Sequence, residues 1–367
     1  MIIGVDGNEA NIEKRVGSGQ YAYELISHLL KSDHKNTYYI YLKEKPLEGF
    51  PRNKNSKFLI FGPKKFWTQF ALPLKLFSGP RPDVFFAPSH YGPRFSSVPI
   101  VITIFDLSYI HFPKLFRRLD LYQLQHWTEY SVKKAKAILT ISQASKEDII
   151  KHYKVDPKKV FVTYPGYDDK LFKPVNDQKA IGKVKEKYKI AGDYIFFLGT
   201  IQPRKNLIRL LEAVEGIKNI KVVISGKKGW LYDDFFKKIE DPKVRDKIIV
   251  TDYVQDEDLP VLFSGARTFI LPSLWEGFGI PVLEAMACGC PVVVSDKSSL
   301  SEVVEEAGVL INPEDVQSIT DGIQKVLTNN KFAQVLSRRG LIRAKEFSWR
   351  RCAYQTLSII KSAGNVA

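Results

Sequence analysis

The feature that most constrains the fold is the alternation of short, uninterrupted apolar runs with longer amphipathic segments. Runs this rich in β-branched and aromatic residues are typical of strands buried on both faces of a parallel sheet. In order, the runs are MIIGVDG, YYIYL, DVFFAPS, IVITIFD, AILTIS, KVFVTYPG, YIFFLGT, KVVISG, KIIVTDYV, TFILPS and PVVVSD. Helical stretches such as NLIRLLEAVEGI separate them. The pattern predicts an α/β chain with about six strands in each half, the number for two Rossmann-like, doubly wound domains facing across a cleft.

The length of the chain also indicates two domains, because a single core rarely grows to 367 residues. The run of buried strands breaks at YPGYDDKLFKPVNDQKAIGK, where Pro165, Gly166 and Pro174 interrupt a polar stretch. We therefore predict an N-terminal domain over 1–171 and a C-terminal domain over 172–349. We expect a final helix over 350–367 to complete the N-terminal domain.

The formal net charge of +15 is concentrated in one stretch. Between Pro51 and Ile150 there are 15 Lys/Arg and 6 Asp/Glu, a local balance of +9. This excess fits solvated helix faces, a phosphate-bearing substrate or an anionic membrane surface. No nucleic-acid partner is expected, because no recognition motif accompanies the charge. Within the same stretch, FWTQFALPLKLF is interpreted as an internal helix, with a membrane-surface helix as the alternative.

Other sequence signals bear on the compartment. No apolar run approaches the roughly 20 residues that a membrane-spanning helix needs, and the N-terminus has no signal-peptide pattern. The three cysteines have spacings that fit neither a disulfide framework nor a metal site. We expect a cytoplasmic protein, with peripheral contact at the inner membrane face left open.

The segment LPSLWEGFGIPVLEAMACGCPVVVS carries the strongest local signal. The run TFILPS predicts a strand, and Pro281 predicts a helix over PVLEAMAC. Glu276 then lies in the strand-to-helix loop and Glu284 in the first helical turn, both at the ligand-binding edge of a parallel sheet. Backbone N–H groups at Gly277–Gly279 can bind an anion, whereas the two carboxylates suit hydroxyl groups. This combination points to a sugar that carries a phosphate.

This segment resembles the E-x₇-E signature of retaining glycosyltransferase family 4, a glycogen-synthase-like group with the two-Rossmann-domain GT-B architecture. The resemblance extends over nearly the whole chain. GTIQPRKN resembles the form found in the mannosyltransferase-B-like branch. Other matching segments follow in the family's order: IGVDGNEANIEKRVGSGQYAYELISHL, PDVFFAPSHYGP, VPIVITIFDLSYIHFP, ILTISQASKEDI and YPGYDDKLFKP.

The resemblance implies a metal-independent enzyme with no cofactor beyond its nucleotide-sugar co-substrate. The enzyme would move a hexose of mannose or glucose type from a GDP- or UDP-sugar to a hydroxyl of a glycan or lipid-linked glycan. The N-terminal domain would bind the acceptor and the C-terminal domain the donor. The implied donor-binding residues are Gly17, Ser18, Gly19, Thr200, Tyr253, Val254, Gly277, Phe278, Gly279 and Glu284.

Four residues are expected to act in the reaction itself. Arg204 and Lys205, just beyond the run YIFFLGT, would stabilise the negative charge on the departing phosphate. The resemblance implies that Glu276 contacts the donor sugar and that Asp106 orients sugar or acceptor hydroxyls. The acidic run DED at 256–258 matches a metal-binding Asp-x-Asp pattern, but its position before a helix predicts helix caps instead. No metal site is predicted.

The sequence departs from the family pattern at three positions, one of which is Asn8. Phe105 stands where the pattern has a histidine, and Thr200 stands where many relatives have an arginine that Arg204 could replace. His90 and His111 flank Phe105, and each is interpreted as an ordinary histidine rather than a substitute. The change at Phe105 motivates an alternative function, a sugar-nucleotide-binding protein with reduced or lost transferase activity.

Overall fold

In a computed structural model that describes residues 1–15 and 17–365, the chain folds into two compact α/β units. Unit 1 is Met1–Gly166 together with the chain from Ser348 onward, and unit 2 is Tyr167–Phe347. The sequence placed the two boundaries a few residues further along, after 171 and after 349. Each unit is described by itself below.

Unit 1 contains a seven-stranded parallel sheet with the order β3-β2-β1-β4-β5-β6-β7. Every residue of β4, β5 and β6 is buried, as the uninterrupted apolar runs predicted. The sequence predicted about six strands and missed β3, an edge strand with no fully buried residue. The strands are β1 Ile2–Asp6, β2 Thr37–Leu42, β3 Ser56–Ile60, β4 Val84–Ala87, β5 Ile100–Ile104, β6 Ala137–Thr140 and β7 Val160–Val162.

The helices of the first part of unit 1 connect these strands. One side of helix α2, Ala71–Ser78, and of the turn before it is buried in the core of the unit through Trp67, Ala71, Leu72 and Leu76. The segment FWTQFALPLKLF therefore contributes an internal face, as the sequence predicted. The helices are α1 Ser18–Ser32, α2 Ala71–Ser78, α3 Ser108–His111, α4 Arg118–Lys134 and α5 Gln143–Tyr153.

Unit 2 contains a six-stranded parallel sheet with the order β10-β9-β8-β11-β12-β13. All residues of β11 and β12 are buried. Sequence reasoning missed β13, which is again an edge strand. The strands are β8 Tyr194–Leu198, β9 Lys221–Ser225, β10 Ile248–Asp252, β11 Thr268–Leu271, β12 Val292–Ser295 and β13 Gly308–Ile311.

Eight helices of unit 2 flank this sheet within the described residues. Because all strands are parallel, their carboxyl ends meet at one edge, and the loops that lead into the helices lie at that edge. The helices are α6 Gln178–Lys187, α7 Leu207–Val214, α8 Asp233–Ile239, α9 Leu259–Gly265, α10 Ile280–Ala287, α11 Leu300–Val304, α12 Val316–Thr328 and α13 Asn330–Ala344.

The last helix, α14 at Trp349–Gly364, returns to unit 1 and packs against α1. Trp349 makes an edge-to-face contact with Tyr21 of α1, with ring centroids 5.6 Å apart. A Cβ at Gly166 would lie 2.1 Å from the backbone nitrogen of Trp349, so only glycine fits where these two segments pack together. The helix predicted over 350–367 ends at Gly364, and residues 366 and 367 lie outside the described part of the chain.

None of the helices within residues 1–15 and 17–365 has the length and apolar character required to span a membrane.

Candidate active site

The candidate site of unit 2 lies where the order of its strands reverses. The first strand of the unit, β8, pairs with the second, β9, on one side and with the fourth, β11, on the other. Chains leaving β8 and β11 run to opposite faces of such a sheet, and the gap between them is the usual ligand site of an open α/β sheet. The two segments that follow these strands carry Arg204 and Lys205 after β8 and Glu276 after β11.

These three charged side chains form one ion cluster. Lys205 Nζ donates to Glu276 Oε1 at 2.6 Å, and Arg204 Nη1 lies 3.4 Å from Glu276 Oε2. Arg204 also donates to the carbonyl oxygen of Trp275. Lys205 is only 9% exposed and Glu276 only 7%. The Lys205 ammonium group is therefore buried against Glu276.

A neighbouring asparagine, which sequence reasoning missed, holds the first segment in place. Asn206 has a left-handed backbone (φ 58°) and directly precedes α7. Its side-chain amide donates to the carbonyl oxygens of Pro272 at 3.0 Å and Pro313 at 2.6 Å. Leu274 N donates to Arg204 O at 2.9 Å and ties the same two segments together. Asparagine tolerates this conformation better than most residues, and its position directly before the helix was the available signal.

Serine hydroxyls hold the Glu276 backbone from the other side. Glu276 N donates to Ser298 Oγ at 2.8 Å, and Ser299 Oγ donates to Glu276 O at 2.8 Å. Both serines lie between β12 and α11. The loops after β8, β11 and β12 therefore fix the position of Glu276 together. The Glu276 carboxylate therefore has a defined place before any ligand binds.

The two cations determine the charge state of the buried Glu276 carboxyl. Burial acts to raise its pKa, but Lys205 and Arg204 outweigh it and hold the pKa at about 2. Glu276 is thus ionised at neutral pH, and the three side chains together carry a net charge of +1. The cluster can bind an anion and remain internally paired.

The loop after Glu276 presents backbone rather than side chains. Phe278 is buried against Phe347, with ring centroids 5.5 Å apart, so its side chain belongs to the core of unit 2. Gly279 has φ +100°, and a Cβ there would lie 2.6 Å from Leu300 Cδ2. Only glycine fits this position without a shift of its neighbours. Gly277 and Gly279 therefore leave backbone as the surface that a ligand could approach.

The helix that follows starts one residue earlier than predicted. α10 begins at Ile280, so Pro281 is its second residue and Glu284 its fifth. The prediction that Glu284 lies in the first turn is therefore wrong. Burial raises the pKa of Glu284 to about 8, and the negative charges of Asp256 and Asp168 add to the effect. Its carboxyl is mostly protonated at pH 7 and can then donate as well as accept a hydrogen bond.

Two further segments of unit 2 carry predicted donor-binding residues. Thr200 follows β8 and is half-buried. The backbone just before it packs closely against the backbone at Gly226, because a Cβ at Gly226 would lie 2.0 Å from Gly199 O. Tyr253 and Val254 follow β10. The Tyr253 ring is exposed, whereas the Val254 side chain is buried. At Val254, as at Phe278, the backbone is the part that remains for binding.

The acidic run at 256–258 does not cap the next helix through a side chain, which corrects the prediction made from its position. It forms a short 3₁₀ turn before α9. Asp258 Oδ2 instead accepts hydrogen bonds from Lys187 Nζ at 2.5 Å and Tyr188 OH at 2.6 Å. Across residues 1–15 and 17–365, no three His, Cys, Asp or Glu side chains are grouped as metal ligands.

The remaining predicted residues lie in unit 1. Gly17 precedes α1 with φ +53°, and Ser18 Oγ donates to Glu9 Oε2 at 3.1 Å. A Cβ at Gly19 would lie 3.1 Å from Glu9 O, so this turn is tight. Asp106 follows β5, and its Oδ1 accepts from Ser108 N at 2.8 Å. Because these residues and the ion cluster belong to different units, their predicted roles toward the donor stay predictions.

The two histidines near Phe105 have partners of their own. His111 Nε2 lies 2.7 Å from Asp148 Oδ2. His90 packs against the Phe105 ring, with centroids 5.5 Å apart, and burial lowers its pKa to about 4. His90 is therefore neutral at pH 7, within an aromatic cluster.

Unit 1 also has a cavity that sequence reasoning did not find. It has a volume of about 430 Å³ and lies at the carboxyl edge of the sheet. Tyr91 and Trp127 meet edge to face in its wall, with ring centroids 5.5 Å apart. The lining is otherwise mostly polar: Asp6, Asn8, Glu9, Lys43, Lys64, Lys65, Thr68, Gln69, Ser89 and Gln123, with the rings of Phe66 and Trp67. Aromatic rings beside amides and charges are well suited to a sugar ring.

Comparison with known families and proteins finds glycosyltransferase matches for both units. The family described as "Glycosyl transferases group 1" matches residues 178–342. The family described as "Glycosyltransferase Family 4" matches residues 16–171. The O-antigen chain mannosyltransferase B of Escherichia coli is 35% identical over 267 residues, which cover 71% of this chain and 70% of that protein.

Two solved structures support the fold over the whole chain. Sucrose-phosphate synthase from Thermosynechococcus elongatus superposes with a TM-score of 0.80 at 16% identity, with all of both chains covered. HepE from Anabaena, in complex with UDP and glucose, superposes with a TM-score of 0.77 at 18% identity and covers 98% of this chain and 99% of HepE. Both neighbours share the pair of Rossmann-like units that defines the GT-B fold.

Proposed function

From the premise that this chain belongs to the family 4-like glycosyltransferases, in the mannosyltransferase-B branch with the GT-B fold, we propose that it is a retaining, metal-independent hexosyltransferase. The general reaction of the family is transfer of a hexose from a nucleotide sugar. The proposal adds a GDP- or UDP-activated hexose of mannose or glucose type as donor. It also adds the hydroxyl of a glycan or lipid-linked glycan as acceptor.

The ion cluster of Arg204, Lys205 and Glu276 is the observation that carries this proposal. As the bond between sugar and diphosphate breaks, negative charge builds on the departing phosphate. Two cations fixed at the edge of the sheet can stabilise that charge without reorganising, because Glu276 already holds Lys205 at 2.6 Å. Glu276 keeps a second carboxylate oxygen only 3.4 Å from Arg204, which leaves room for exchange with a sugar hydroxyl.

We propose retention of anomeric configuration on the basis of the Glu276 charge state. A carboxyl with a pKa of about 2 is a weak base and, while paired with Lys205, a weak nucleophile. Glu276 is therefore disfavoured both as the general base that an inverting enzyme needs and as the nucleophile of a covalent sugar–enzyme intermediate. Attack by the acceptor on the same face as the departing phosphate remains, with that phosphate accepting the acceptor's proton. Asp106 would orient hydroxyl groups.

The identity of the transferred sugar is proposed from similarity. The relative that is 35% identical is named a mannosyltransferase, which favours mannose. The structure of HepE was determined with UDP and glucose, so a chain of this fold accommodates a nucleotide and a hexose. We propose that Glu284 contacts the ribose. The backbones of Tyr253 and Val254 would then contact the base.

The cavity of unit 1 is the acceptor site in this proposal. Its volume of about 430 Å³ suits one or two sugar rings, and the Trp127 and Tyr91 rings offer apolar faces for stacking. A lipid-linked acceptor would bring the enzyme to a membrane. Contact with an anionic surface and a cytoplasmic location at the inner membrane face therefore belong to the proposal.

The proposed reaction can be tested on the purified chain with GDP-mannose, UDP-glucose and a mannose-terminated acceptor. Proton NMR of the first-formed product should give an α-anomer from an α-linked donor, with the one-bond carbon–proton coupling used for manno products. Transfer should survive EDTA, because Arg204 and Lys205 supply the positive charge. A β-anomer would refute retention, and activity lost in EDTA but restored by Mg²⁺ or Mn²⁺ would refute metal independence.

The second candidate is a sugar-nucleotide-binding protein with reduced or lost transferase activity. Phe105, in the position of the family's histidine, favours it, because His111 is paired with Asp148 and His90 packs against the Phe105 ring. The two candidates differ in one measurement. Nucleotide sugars that raise the melting temperature but undergo neither hydrolysis nor transfer would support the binding protein.

A further inference from the structure

The Asp6 carboxyl, in the wall of the unit 1 cavity, has only one of its two oxygens engaged. Asp6 is the last residue of β1, is 7% exposed and lines the cavity of about 430 Å³. Asn8 donates two hydrogen bonds to it, from N at 3.0 Å and from Nδ2 at 2.7 Å, and both go to Oδ1. Within residues 1–15 and 17–365, no protein group donates to Oδ2. This buried carboxyl therefore keeps one acceptor oxygen for another partner.

A further contact fixes the direction of the Asp6 carboxyl. Asn8 Oδ1 accepts from Lys43 N at 2.9 Å, so the chain just after β2 holds the amide that holds Asp6. The neutral amide engages one carboxylate oxygen and leaves the negative charge in place. The position of Oδ2 in the cavity wall is thus set by the protein before any ligand binds.

A second buried acid of unit 1 shows how a purely internal carboxyl is treated. Asp33 is 5% exposed and precedes β2, at the opposite, amino edge of the sheet. Its Oδ1 accepts from the backbone of Lys35 and Asn36 at 3.0 and 3.3 Å. Its Oδ2 accepts from Asn36 Nδ2 and Tyr38 OH, both at 2.7 Å. Burial acts to raise the pKa of Asp33, but these hydrogen bonds hold it below its usual value.

Asp6, in contrast, is kept at a cost to stability. Burial raises its pKa from 3.8 to about 6, although the hydrogen bonds from Asn8 act in the opposite direction. The charge of Glu9 adds to the rise and that of Lys43 reduces it. Between pH 4 and 6 the folded chain holds a proton that the unfolded chain releases, so stability falls as pH rises through this window. A carboxyl that costs stability and lines a cavity is typical of a functional position.

We propose that Asp6 is an acceptor-binding residue whose Oδ2 accepts a hydrogen bond from a hydroxyl group of a neutral sugar ring. The proposal rests on the proposed function, which places the acceptor in this cavity. The Tyr91 and Trp127 rings of the same wall can pack against the apolar face of such a sugar. A phosphate or carboxylate group has almost no proton to donate at neutral pH, whereas each sugar hydroxyl has one. The ligand class is therefore a neutral sugar that presents a free hydroxyl to Asp6.

Binding can be measured by NMR titration of the full chain, without donor, using methyl α-mannobioside and methyl α-maltoside. Asp6→Asn keeps the size of the side chain and the bonds from Asn8, but presents an N–H group in place of Oδ2. It should raise the Kd of the bound disaccharide about tenfold or more. Because it also removes a buried charge, it should melt at or above the wild-type temperature near pH 8. The matched control, Asp33→Asn, should melt lower and bind with the wild-type Kd.

The ligand and the pH provide two further readouts. Among monodeoxy analogues of the disaccharide, one should bind the wild type about tenfold more weakly, and Asp6→Asn should bind that analogue and the parent equally. The affinity of the wild type should fall as pH is lowered through about 6, where Asp6 becomes protonated, and that of Asp6→Asn should not. The other titratable groups of the cavity wall, which the flat profile of Asp6→Asn tests, are Glu9, Lys43, Lys64, Lys65 and Tyr91.

The outcomes separate this inference from the proposed function. No binding of either disaccharide by the wild type at millimolar concentrations would overturn the inference. So would an unchanged Kd in Asp6→Asn, or an equal loss of binding in Asp33→Asn. If Asp6→Asn weakens binding as expected but the wild type transfers no sugar from any donor, the proposed transferase function fails and the saccharide contact at Asp6 stands.

Discussion

The carboxyl edges of the two sheets differ although the sheets share their central strand order. In each unit the first strand lies beside the fourth, β1 beside β4 and β8 beside β11. In unit 2 the segments after these strands meet through buried, paired charges. In unit 1 the corresponding segments line an open cavity of about 430 Å³ with aromatic walls. One topology thus supports a rigid electrostatic site and a receptive cavity.

Two buried acids show how this difference arises. Asp6 is the last residue of β1, Glu276 lies in the loop after β11, and both are almost fully buried. Burial raises the pKa of Asp6 to about 6, despite two hydrogen bonds from Asn8. The pKa of Glu276 is held at about 2, because two cations lie within 3.4 Å. Neighbouring charge, and not burial, therefore separates the two sites.

The largest effect on the site of unit 2 is expected when the cation that pairs with Glu276 is removed. Lys205→Met should lower transfer by about 10²–10³-fold, because a preorganised charge at the leaving phosphate is lost. It should also reduce the free energy of unfolding by about 3 kcal/mol, because Glu276 loses its closest partner. Initial rates and urea unfolding would measure the two effects.

The double variant Lys205→Met/Glu276→Gln separates catalysis from stability. It should recover most of the lost stability, while transfer stays low. Lys187→Met is the matched control, because that lysine pairs with Asp258 in the same unit but is exposed. It should leave both rate and stability nearly unchanged. Recovery of transfer in the double variant would show that Lys205 has no role beyond neutralising Glu276.

A smaller effect is expected in the cavity of unit 1. Trp127→Ala should raise the KM for the acceptor about tenfold, roughly 1.4 kcal/mol for one lost ring contact, and leave donor affinity unchanged. Trp127→Phe should restore most of the affinity. Tyr122→Ala removes an exposed ring from the same helix and should have no effect. An unchanged KM for the acceptor in Trp127→Ala would show that the acceptor does not bind in this cavity.

The smallest effect concerns Glu284, whose folded-state pKa is raised from 4.5 to about 8. Between these values the folded chain holds a proton that the unfolded chain releases, so stability falls as pH rises through this window. Glu284→Gln cannot titrate. Its free energy of unfolding should match that of the wild type near pH 4 and exceed it by about 1–2 kcal/mol near pH 9, a modest gain because Glu284 is only partly buried. Urea unfolding at both pH values measures this, and equal stability at high pH would contradict it.

Part of the site could be predicted because local sequence determines it. EGFG-x₄-E places Glu276, the glycine turn and α10 within a few residues of one another, and Gly279 is required by its own backbone. Arg204 and Lys205 were found from their position after a strand. The start of α10 was displaced by one residue because Pro281 is accepted at the second helical position as well as the first. Boundaries of this kind depend on small local energy differences.

Edge strands and long-range contacts were less predictable. The apolar runs identified every central strand and the edge strands β7 and β10, but they missed the other two edge strands, β3 and β13, which are partly accessible. The partner of Asp258 was missed because Lys187 and Tyr188 lie about 70 residues away along the chain. The cavity was missed for the same reason, since its lining comes from five separate segments of unit 1.

The sequence by itself determined the two α/β units, the strands at their centres and the segments that carry the charges, because hydrophobic period and turn chemistry act over short stretches of chain. Tertiary structure alone decided which of those charges meet. Lys205 and Glu276 are 71 residues apart, and only the pairing of β8 with β11 brings them to 2.6 Å. Their burial then turns two ordinary charged residues into one ion cluster, because in a low-dielectric environment each charge requires the other.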